Sequence, residues 1–350
     1  MLVSALLMLV VLLAISVPIA AVMGVLGLAL NQFYSSMPLY RAMGEILWNS
    51  NSEYILIAIP LFVMLGEILL RSGIAERVYN AIAQWLSWLP GGLMHANIGT
   101  CAMFAATSGS SVATAATVGL VALPQIEQRK YDERLFLGTL AAGGTLGILV
   151  PPSINFILYG LLTNTSVPRL YLAGMVPGII LASLFMLYVL VKCLITPSQG
   201  GLKLQTTWRK RLYSLKDLVA PLFIFLVVVG SIYAGWATPT EAASLGVLAA
   251  LLLAAWERRL SLAVMRAVLE STMRTTALIM LIIMAAQFLN FVLAAIGLTD
   301  GMGKAIESLG LGKYGTLVLI VIFYLVLGCF METISMMILT TPFIFPIIEN

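Results

Sequence analysis

The fold of this chain is decided by the run Thr107-Ser108-Gly109-Ser110-Ser111 and by a second run, Ala141-Ala142-Gly143-Gly144-Thr145-Leu146-Gly147-Ile148-Leu149-Val150-Pro151-Pro152-Ser153. Both runs are rich in small and helix-breaking residues and lie inside strongly apolar segments. A broken helix in hydrocarbon leaves backbone N–H and C=O groups unpaired, and each costs several kcal/mol unless protein or a polar cavity satisfies it. Transporters hold ions and carboxylates with freed carbonyls and helix ends, so the two runs predict an ion-coupled transport site.

The composition indicates a membrane protein with many spans. The chain has 350 residues, of which 61% are hydrophobic and 10% charged, and its mean hydropathy is +1.04. Soluble proteins are roughly 45–50% apolar and 25% charged. No basic patch with interleaved aromatic residues occurs, which argues against nucleic-acid binding. Cys101, Cys193 and Cys329 lie far apart in apolar segments, as small buried side chains do.

Nine apolar segments are long enough to cross a membrane, or to enter it and return. The first has no Lys or Arg before its hydrophobic run, so it is expected to be a retained transmembrane helix rather than a signal peptide. Residues 93–124 and 314–348 are each about as long as two half-membrane helices and are interrupted near the middle, so we predict two re-entrant hairpins. The nine segments are 2–30, 54–70, 93–124, 135–163, 170–195, 218–236, 240–256, 275–296 and 314–348.

The distribution of charge supports this arrangement. We place both ends of the first hairpin in the cytoplasm and let every other segment cross once. Only Arg41, Arg169, Lys304 and Lys313 of the 19 basic residues then lie outside, and the other fifteen lie in the cytoplasm, as the positive-inside rule requires. If residues 93–124 crossed the membrane instead of forming a hairpin, the basic connector 196–217 would lie on the wrong side. The second hairpin is therefore expected to enter from the periplasm.

A weak internal repeat relates the two hairpin regions, because five small or apolar residues recur at one offset of 224 residues. Two similar units inserted from opposite faces form an inverted repeat, the architecture that permits alternating access. The recurring residues are Gly73-Ile74, Ala81-Ile82 and Gly91, matched by Gly297-Leu298, Ala305-Ile306 and Gly315.

The predicted fold is an all-α polytopic membrane protein with inverted repeats, two re-entrant helical hairpins and broken transmembrane helices. We expect the second hairpin to need a break like that at Pro151, so the absence of one suggests that the chain is truncated. The expected regions are N-terminal scaffold helices (1–72), a first repeat with its hairpin (93–124) and broken helix (135–163) within 73–195, a cytoplasmic connector (196–217), scaffold helices with the start of the second repeat (218–296), and the second hairpin (297–350).

Four motifs occur in a specific order: Leu89-Pro90-Gly91-Gly92-Leu93, Ser108-Gly109-Ser110-Ser111-Val112-Ala113-Thr114, Gly147-Ile148-Leu149-Val150-Pro151-Pro152-Ser153 and Thr238-Pro239-Thr240-Glu241-Ala242-Ala243. With them, nearly the whole chain resembles the large membrane subunit of tripartite ATP-independent periplasmic (TRAP) transporters, the DctM-like family. The resemblance implies sodium-driven uptake of an organic acid, such as a dicarboxylate or a sialic acid, across the bacterial inner membrane. It also implies a small four-helix membrane subunit and a periplasmic substrate-binding protein as partners, besides membrane lipid.

The resemblance also implies a Na⁺ site between the first hairpin tip and the facing break. Sodium is the expected coupling ion, no organic cofactor is expected, and a hard cation prefers oxygen ligands. Pro151 and Pro152 suit this role because they remove N–H donors and so free carbonyls four residues earlier. The expected ligands are the hydroxyls of Ser108, Ser110 and Ser111 and the carbonyls of Gly147, Val150 and Pro152.

In the second hairpin, Gly328 and Thr333 are the expected ligands of a second Na⁺ site. A carboxylate at membrane depth is costly unless it faces a cavity, so Glu332 is either a functional residue or the partner of a basic group on a neighbouring helix or subunit. The residues expected to contact the substrate are Ser108, Gly109, Thr145, Ser153 and Glu332.

Two other functions stay open at this point. One is an ion-coupled carboxylate carrier that works without a binding protein. The other is an intramembrane serine hydrolase with His95 as the base for Ser111, although His95 lies at the hairpin base, roughly 20 Å from its tip at 1.5 Å per residue. No Walker-A pattern occurs, which argues against ATP-driven pumping.

Two local motifs have structural interpretations. Thr238-Pro239-Thr240-Glu241 predicts a capping box at the start of a helix, with Pro239 at its first position. Gly143 and Gly144 are more typical of close helix packing than of ligand binding. An elevator-type movement is expected, in which the hairpin and the facing break move as one body because a bound ion must keep its carbonyl ligands.

Overall fold

The computed structural model describes residues 2–108, 111–202, 204, 206–298, 301, 310, 312–329 and 331–349. Within these ranges the regular structure is helical, without strands. The N-terminal half contains α1 (Leu2–Ala14), α2 (Ile19–Tyr34), α3 (Met43–Asn51), α4 (Ala58–Arg71), α5 (Ile74–Leu86), α6 (Leu93–Ser108), α7 (Ser111–Ala122), α8 (Pro124–Arg129), α9 (Glu133–Leu149) and α10 (Ile154–Thr163). It is followed by α11 (Val167–Ile195), α12 (Trp208–Phe225), α13 (Pro239–Trp256), α14 (Leu262–Ala295), α15 (Gly312–Gly328) and α16 (Thr333–Glu349).

Several of these helices can cross a membrane. Two of the spans contain other helical turns, a 3-10 turn over Tyr54–Ile57 ahead of α4 and a π-helical turn over Leu226–Gly230 after α12. The helices α9 and α10, bent by 42° at their junction, would form a further span together. The all-helical, multi-pass membrane fold predicted from the sequence is confirmed. Among the described residues the continuous candidate spans are Tyr54–Arg71, Val167–Ile195, Trp208–Tyr233, Pro239–Trp256 and Leu262–Ala295.

The N-terminal segment is not the single helix that hydropathy predicts over 2–30. The break between α1 and α2 contains Ser16, which takes a left-handed conformation with φ 60°, and Pro18, which has no N–H to continue the helix. The hydroxyl oxygens of Ser4 and Tyr34 lie 2.6 Å apart, so the start of α1 lies beside the end of α2. The two helices therefore form an antiparallel hairpin. No charged residue precedes Arg41, so this correction leaves the charge-based topology unchanged.

Two later spans begin earlier than the apolar segments that predict them. The helix expected at 275–296 begins at Leu262, where the Ser261 hydroxyl accepts the N–H of Val264 at 3.2 Å. The segment expected at 218–236 begins at Trp208, where the Thr207 hydroxyl accepts the N–H of Lys210 at 3.4 Å. Hydropathy detects the apolar part of a helix, whereas its start is fixed by the capping hydroxyl, which satisfies a backbone donor in the first turn.

The chain forms two compact units. One comprises Met1–Leu56, Leu158–Thr165 and Thr275–Asn350. Within it, the Tyr324 and Thr340 hydroxyl oxygens lie 2.7 Å apart and join α15 to α16. The ring centroids of Tyr159 and Phe345 lie 6.4 Å apart, so the middle of α10 packs on α16.

The second unit comprises Ile57–Ile157 and Ser166–Arg274 and contains the first hairpin. At one of its helix starts, Thr238 and Glu241 form the predicted capping box, in which the Thr238 N–H donates to the Glu241 carboxylate at 2.8 Å. An ion pair between Arg77 and Glu257 joins the start of α5 to the end of α13. This unit holds the residues of the first candidate site.

Candidate functional site

The first limb of the hairpin, α6, runs parallel to α9. At its start, the Leu93 N–H donates to the Tyr131 hydroxyl at 2.9 Å, just before α9 begins. One turn later, the Asn97 side-chain amide donates to the Thr139 hydroxyl at 2.9 Å. A Cβ on Gly143 would lie 3.0 Å from Cys101, a further turn along both helices. The starts of α6 and α9 therefore lie at the same end of the unit.

The second limb, α7, runs back toward that end. Near its start, the Ser111 carbonyl oxygen and the Ala115 side chain lie against Gly144, in the second half of α9. After Ala122, only the short α8 and the turn 130–132 separate the chain from the start of α9. Burial raises the pKa of Tyr131 in this turn, so its hydroxyl stays neutral. The two limbs begin and end at one end of α9.

The glycine pair of α9 permits close contact with both limbs, as predicted. A Cβ on Gly143 would lie 3.0 Å from Cys101 of α6, and one on Gly144 would lie 2.8 Å from the Ala115 Cβ of α7. Real Cβ atoms almost never come within 3.0 Å of another atom, so a larger residue at Gly144 would push α9 and α7 apart, and one at Gly143 would crowd Cys101. Close packing of this pair is confirmed.

The break after α9 lies next to these contacts. The last helical bond runs from the Val150 N–H to the Leu146 carbonyl at 2.9 Å, and Val150 itself is extended, with φ −83° and ψ 122°. In a continuing helix, the carbonyls of Gly147 and Ile148 would accept from the N–H groups four residues later. Those residues are Pro151 and Pro152, which have no N–H. The break thus leaves backbone oxygens without helical donors at the C-terminal end of α9.

The start of α10 is capped by a predicted substrate residue. Ser153 is 1% exposed, and its hydroxyl accepts the N–H of Asn155 at 3.3 Å. Pro152 and Gly147 are also buried. In contrast, Thr145 is exposed on α9, and its hydroxyl donates to the Ala142 carbonyl at 2.7 Å. Of these predicted site residues, Gly147, Pro152 and Ser153 are therefore buried, whereas Thr145 is exposed.

The residues of the hairpin tip are described in part. Ser111 begins α7 and is partly buried, with its carbonyl 3.3 Å from the position of a Gly144 Cβ. Ser108 is the last residue of α6, and its side chain lies outside the described part. Gly109 and Ser110 lie outside the described residues. The structure therefore brings the start of α7 to the second half of α9, within one turn of Gly147.

The second hairpin has the two predicted helical limbs, but the described residues at its break are less closely packed than those of the first hairpin. Its break lies between α15, which ends at Gly328, and α16, which begins at Thr333. Glu332 is exposed, and its carbonyl accepts the N–H of Met336 at 2.9 Å. Its carboxylate has no ion-pair partner among the described residues. A Cβ on Gly328 would meet nothing within 4 Å.

A buried polar chain that the sequence analysis did not single out holds α6 in place. The Tyr79 hydroxyl of α5 donates to the Asn97 side-chain oxygen at 3.1 Å, and the Asn97 amide donates to Thr139. The Thr139 hydroxyl donates to the Phe136 carbonyl at 2.7 Å, and all of these side chains are buried. The signal in the sequence was Asn97 itself, because a buried amide in an apolar helix needs partners.

His95 lies far from the hairpin tip. It is in the first turn of α6, is 1% exposed, and its Nε2 contacts the Pro90 carbonyl at 2.8 Å. Ser111 lies beyond the other end of the same helix. This placement agrees with the argument against a serine hydrolase, because a catalytic base must reach the hydroxyl that it activates.

The glycines of the internal repeat agree at one pair and differ at another. Gly73 and Gly297 both take left-handed conformations, with φ 73° and 70°. Gly91 also has a positive φ, of 100°, but Gly315 lies inside α15. The helix starts at Leu93 and Gly312 are therefore not separated by the constant offset. Ala305 and Ile306 lie outside the described residues.

These observations define the class of the molecule: a helical, multi-pass integral membrane protein in which a helical hairpin packs on an interrupted helix. The family described as tripartite ATP-independent periplasmic transporter, DctM component, matches residues 6–350. The chain belongs to this family, as its motifs predict. It is therefore a large permease subunit of the bacterial inner membrane.

Individual relatives agree with this assignment. The C4-dicarboxylate TRAP transporter large permease protein DctM of Pseudomonas aeruginosa is 32% identical over 88% of this chain and 72% of its own length. The sialic acid TRAP transporter large permease protein SiaM of Vibrio cholerae is 31% identical over 84% of this chain and 69% of its own length. The isethionate TRAP transporter permease protein DctMQ of Oleidesulfovibrio alaskensis is 28% identical over 96% of this chain, which spans about half of that relative (53%).

Proposed function

We propose that this subunit carries an organic acid into the cell by sodium-coupled secondary transport. The observation that supports this most strongly is the packing of α7 on α9, with the Ser111 carbonyl beside Gly144. This contact brings a hydroxyl-rich helix start near a break with carbonyls that have no helical donors. Such oxygens are suitable ligands for a hard cation, and no carboxylate or histidine is among the proposed ligands of the first site.

The proposed first Na⁺ site lies at the hairpin tip and the break. Its ligands are the hydroxyls and carbonyls predicted above, from the tip Ser108–Ser111 and from the break at Gly147–Pro152. Ser153 and the start of α10 lie next to this site and would bind the substrate carboxylate, because the N-terminus of a helix favours an anion. Gly328, Glu332 and Thr333 form the corresponding tip of the second hairpin, where we propose the second Na⁺ site.

The first hairpin is proposed to be re-entrant from the cytoplasm. Three observations support this: the parallel course of α6 and α9, the short link from α7 to α9, and the position of the connector. The Leu202 N–H donates to the Arg129 carbonyl at 2.7 Å, and Thr206 donates to the Gln84 side chain. The basic connector thus lies at the end of the unit where the hairpin begins. The second hairpin, inserted from the periplasm, would complete an inverted repeat.

The hairpin and α9 are proposed to move as one body in an elevator-type mechanism. The support is that α6, α7 and α9 belong to one compact unit. The buried Tyr79–Asn97–Thr139 chain joins α6 to α9, and α7 packs on Gly144 of α9. Separating them would expose buried polar groups, each at about 1–3 kcal/mol. Movement of the whole group preserves these bonds and the ion ligands together.

The partners and the substrate class follow from the relatives. Those named above are described as carrying a C4-dicarboxylate, a sialic acid and isethionate, which are all organic acids. We propose that this chain works with a small membrane subunit and a periplasmic binding protein, as the word tripartite implies. The binding protein would make the first selection among such acids.

Uptake into proteoliposomes tests the coupling ion. The subunit is reconstituted with the proposed small subunit and binding protein, and uptake of a radiolabelled organic acid is measured under a sodium gradient or a pH gradient. We expect uptake only with sodium, because the first site is built from hydroxyls and carbonyls. Equal uptake under the pH gradient without sodium would refute sodium coupling. Uptake without binding protein would favour an independent carrier.

A crosslink tests the rigid-body movement. In a background without the three native cysteines, Asn97→Cys and Thr139→Cys are joined by mercury, since their side chains contact each other at 2.9 Å. We expect the bridged protein to transport as fast as the same double variant before mercury is added. Loss of uptake on bridging would mean that α6 and α9 separate during transport.

A further inference from the structure

A groove lies between α5 and the first turns of α12, away from the hairpin tip. Its volume is about 390 Å³, and its walls include Asn80 and Gln84 of α5 and Arg209, Lys210 and Tyr213 of α12. The volume lies in the range of small-ligand sites, roughly 300–1,000 Å³. The lining combines two cations with amide and hydroxyl donors, which is suitable chemistry for a phosphate group.

Neither cation has an ion-pair partner among the residues that the structure describes. Arg209 and Lys210 are exposed, and the three ion pairs among the described residues involve other side chains. Asp217 also lines the groove, but it lies about two helical turns further along α12, roughly 12 Å from Arg209 at 1.5 Å per residue. Positive charge is therefore concentrated at the end of the groove nearest the start of α12.

Contacts between α5 and α12 hold the groove walls in position. The Trp85 indole N–H donates to the Arg211 carbonyl at 3.2 Å, and the Trp85 and Trp208 rings meet edge to face at 6.4 Å. The Arg211 guanidinium lies 5.2 Å from the Trp208 ring. The Arg211 guanidinium thus packs on an aromatic ring, whereas Arg209 and Lys210 line the groove, where they are available to bind a ligand.

The surroundings favour a lipid over a soluble anion. Trp208 is 69% exposed at the level of the two cations, as tryptophans at membrane interfaces are. Further along its length, α12 presents exposed apolar side chains, among them Val219 and Phe223. The groove thus lies where α12 passes from the basic connector into its exposed apolar part, the level at which lipid head groups meet acyl chains. The basic connector 196–217, which includes the first turns of α12, places the groove on the predicted cytoplasmic side.

We propose that this groove binds the head group of an anionic phospholipid of the cytoplasmic leaflet. Its phosphate lies between Arg209 and Lys210, and its glycerol or second phosphate contacts the Asn80 and Gln84 side chains. Basic pockets between helices on this face attract anionic lipids, and each cation near the surface contributes about a fivefold gain in affinity. This inference is independent of the transport site and of its coupling ion.

Lipid retention by the full chain tests the proposal. The purified protein is placed in phosphatidylcholine nanodiscs with a trace of phosphatidylglycerol, and bound phosphatidylglycerol is measured by native mass spectrometry. We expect Arg209→Ala with Lys210→Ala to weaken retention about 25-fold. Arg258→Ala with Arg259→Ala is the matched control, since it removes two exposed adjacent cations outside the groove, and it should retain the lipid.

A second variant separates the groove from general surface charge. Asn80→Trp fills the groove and keeps every cation, so it should also weaken retention, by about tenfold. Equal losses in the control pair, or full retention by Asn80→Trp, would overturn the proposal. Displacement of the lipid by excess inorganic phosphate would instead identify a soluble-anion site. Size-exclusion profiles and melting temperatures of each variant confirm that the protein is folded.

Discussion

The two helical hairpins of this subunit have similar outlines and different surroundings. In the first, α6 contacts α9 through Asn97 and Cys101, and most of its described side chains are buried. In the second, α15 has no buried residue, and a single described hydrogen bond between hydroxyls, from Tyr324 to Thr340, joins its limbs. What distinguishes the first hairpin is α9, with a glycine pair that fits against both limbs.

The comparison teaches that the two proposed ion sites differ in how closely other described helices pack around them. In the first hairpin, the start of α7 lies beside α9, which is interrupted by prolines, so Ser111 lies close to carbonyls that lack helical donors. Glu332 and Thr333 supply polar groups to the second tip, but they are not enclosed by described residues. If this account is correct, disrupting the α9 contact should cost more than any single change in the second hairpin.

The largest effect is expected for Gly144→Leu. Its side chain would collide with Ala115 and with the Ser111 carbonyl, which lie 2.8 and 3.3 Å from a Cβ, and would push α7 away from the break. A displacement of about 1 Å at a positioned site costs on the order of 100-fold in rate, so sodium-driven uptake should fall by about that factor.

A matched change on the same helix controls for the loss of glycine. Gly138→Leu lies on the exposed face of α9, where a Cβ would meet nothing within 4 Å. It should leave sodium-driven uptake within about twofold, because helix propensity rises and nothing is displaced. Uptake equally low in both variants would mean that α9 tolerates no leucine, and the contact with α7 would not be the cause.

A smaller effect is expected for Ser111→Ala. The change removes one hydroxyl oxygen and little volume, so the sodium concentration for half-maximal uptake should rise about tenfold. Ser183→Ala on α11 is the control, because the Ser183 hydroxyl only donates to the Ile179 carbonyl of its own helix. Unchanged sodium dependence in Ser111→Ala would show that this hydroxyl is not a ligand.

The smallest effect concerns stability and compares the hairpins directly. Asn97→Leu leaves the buried Tyr79 hydroxyl without its acceptor and removes the bond that Thr139 accepts, so it should lower the free energy of unfolding by about 1–2 kcal/mol. Thr340→Val removes the bond to Tyr324, and it should cost only about 0.5 kcal/mol because that pair is partly exposed. Denaturant unfolding in detergent measures both. Equal costs would contradict the difference in packing between the hairpins.

Much of this architecture could be predicted from local signals in the sequence. Pro151 and Pro152 define the break after α9 because neither has an N–H, and Thr238 with Glu241 defines a helix start through its capping box. The interruption of α1 and α2 also had a local signal at Pro18, but averaging hydropathy over a long apolar segment conceals it.

The remaining features depend on contacts between distant positions. Asn97 finds its partner 42 residues away, at Thr139, and no local pattern specifies that pairing. The proximity of Gly144 to Ser111 follows from the parallel course of α6 and α9, which is a property of the packed unit. The identity of the bound ion is harder still to predict from sequence. Hydroxyls and carbonyls at a helix break can bind several cations, and the spacing of these oxygens determines which one fits.

The re-entrant course of the first hairpin is the central claim, because the inverted repeat and the position of the first ion site depend on it. In a background without native cysteines, Trp88→Cys and Gln128→Cys lie on exposed positions on either side of the hairpin, and Arg169→Cys lies beyond the following break. Each variant is labelled with a membrane-impermeant maleimide in sealed right-side-out and inside-out vesicles. The account predicts that Trp88→Cys and Gln128→Cys are both labelled only from the cytoplasmic side and Arg169→Cys only from the periplasmic side; labelling of Trp88→Cys and Gln128→Cys from opposite sides would contradict it.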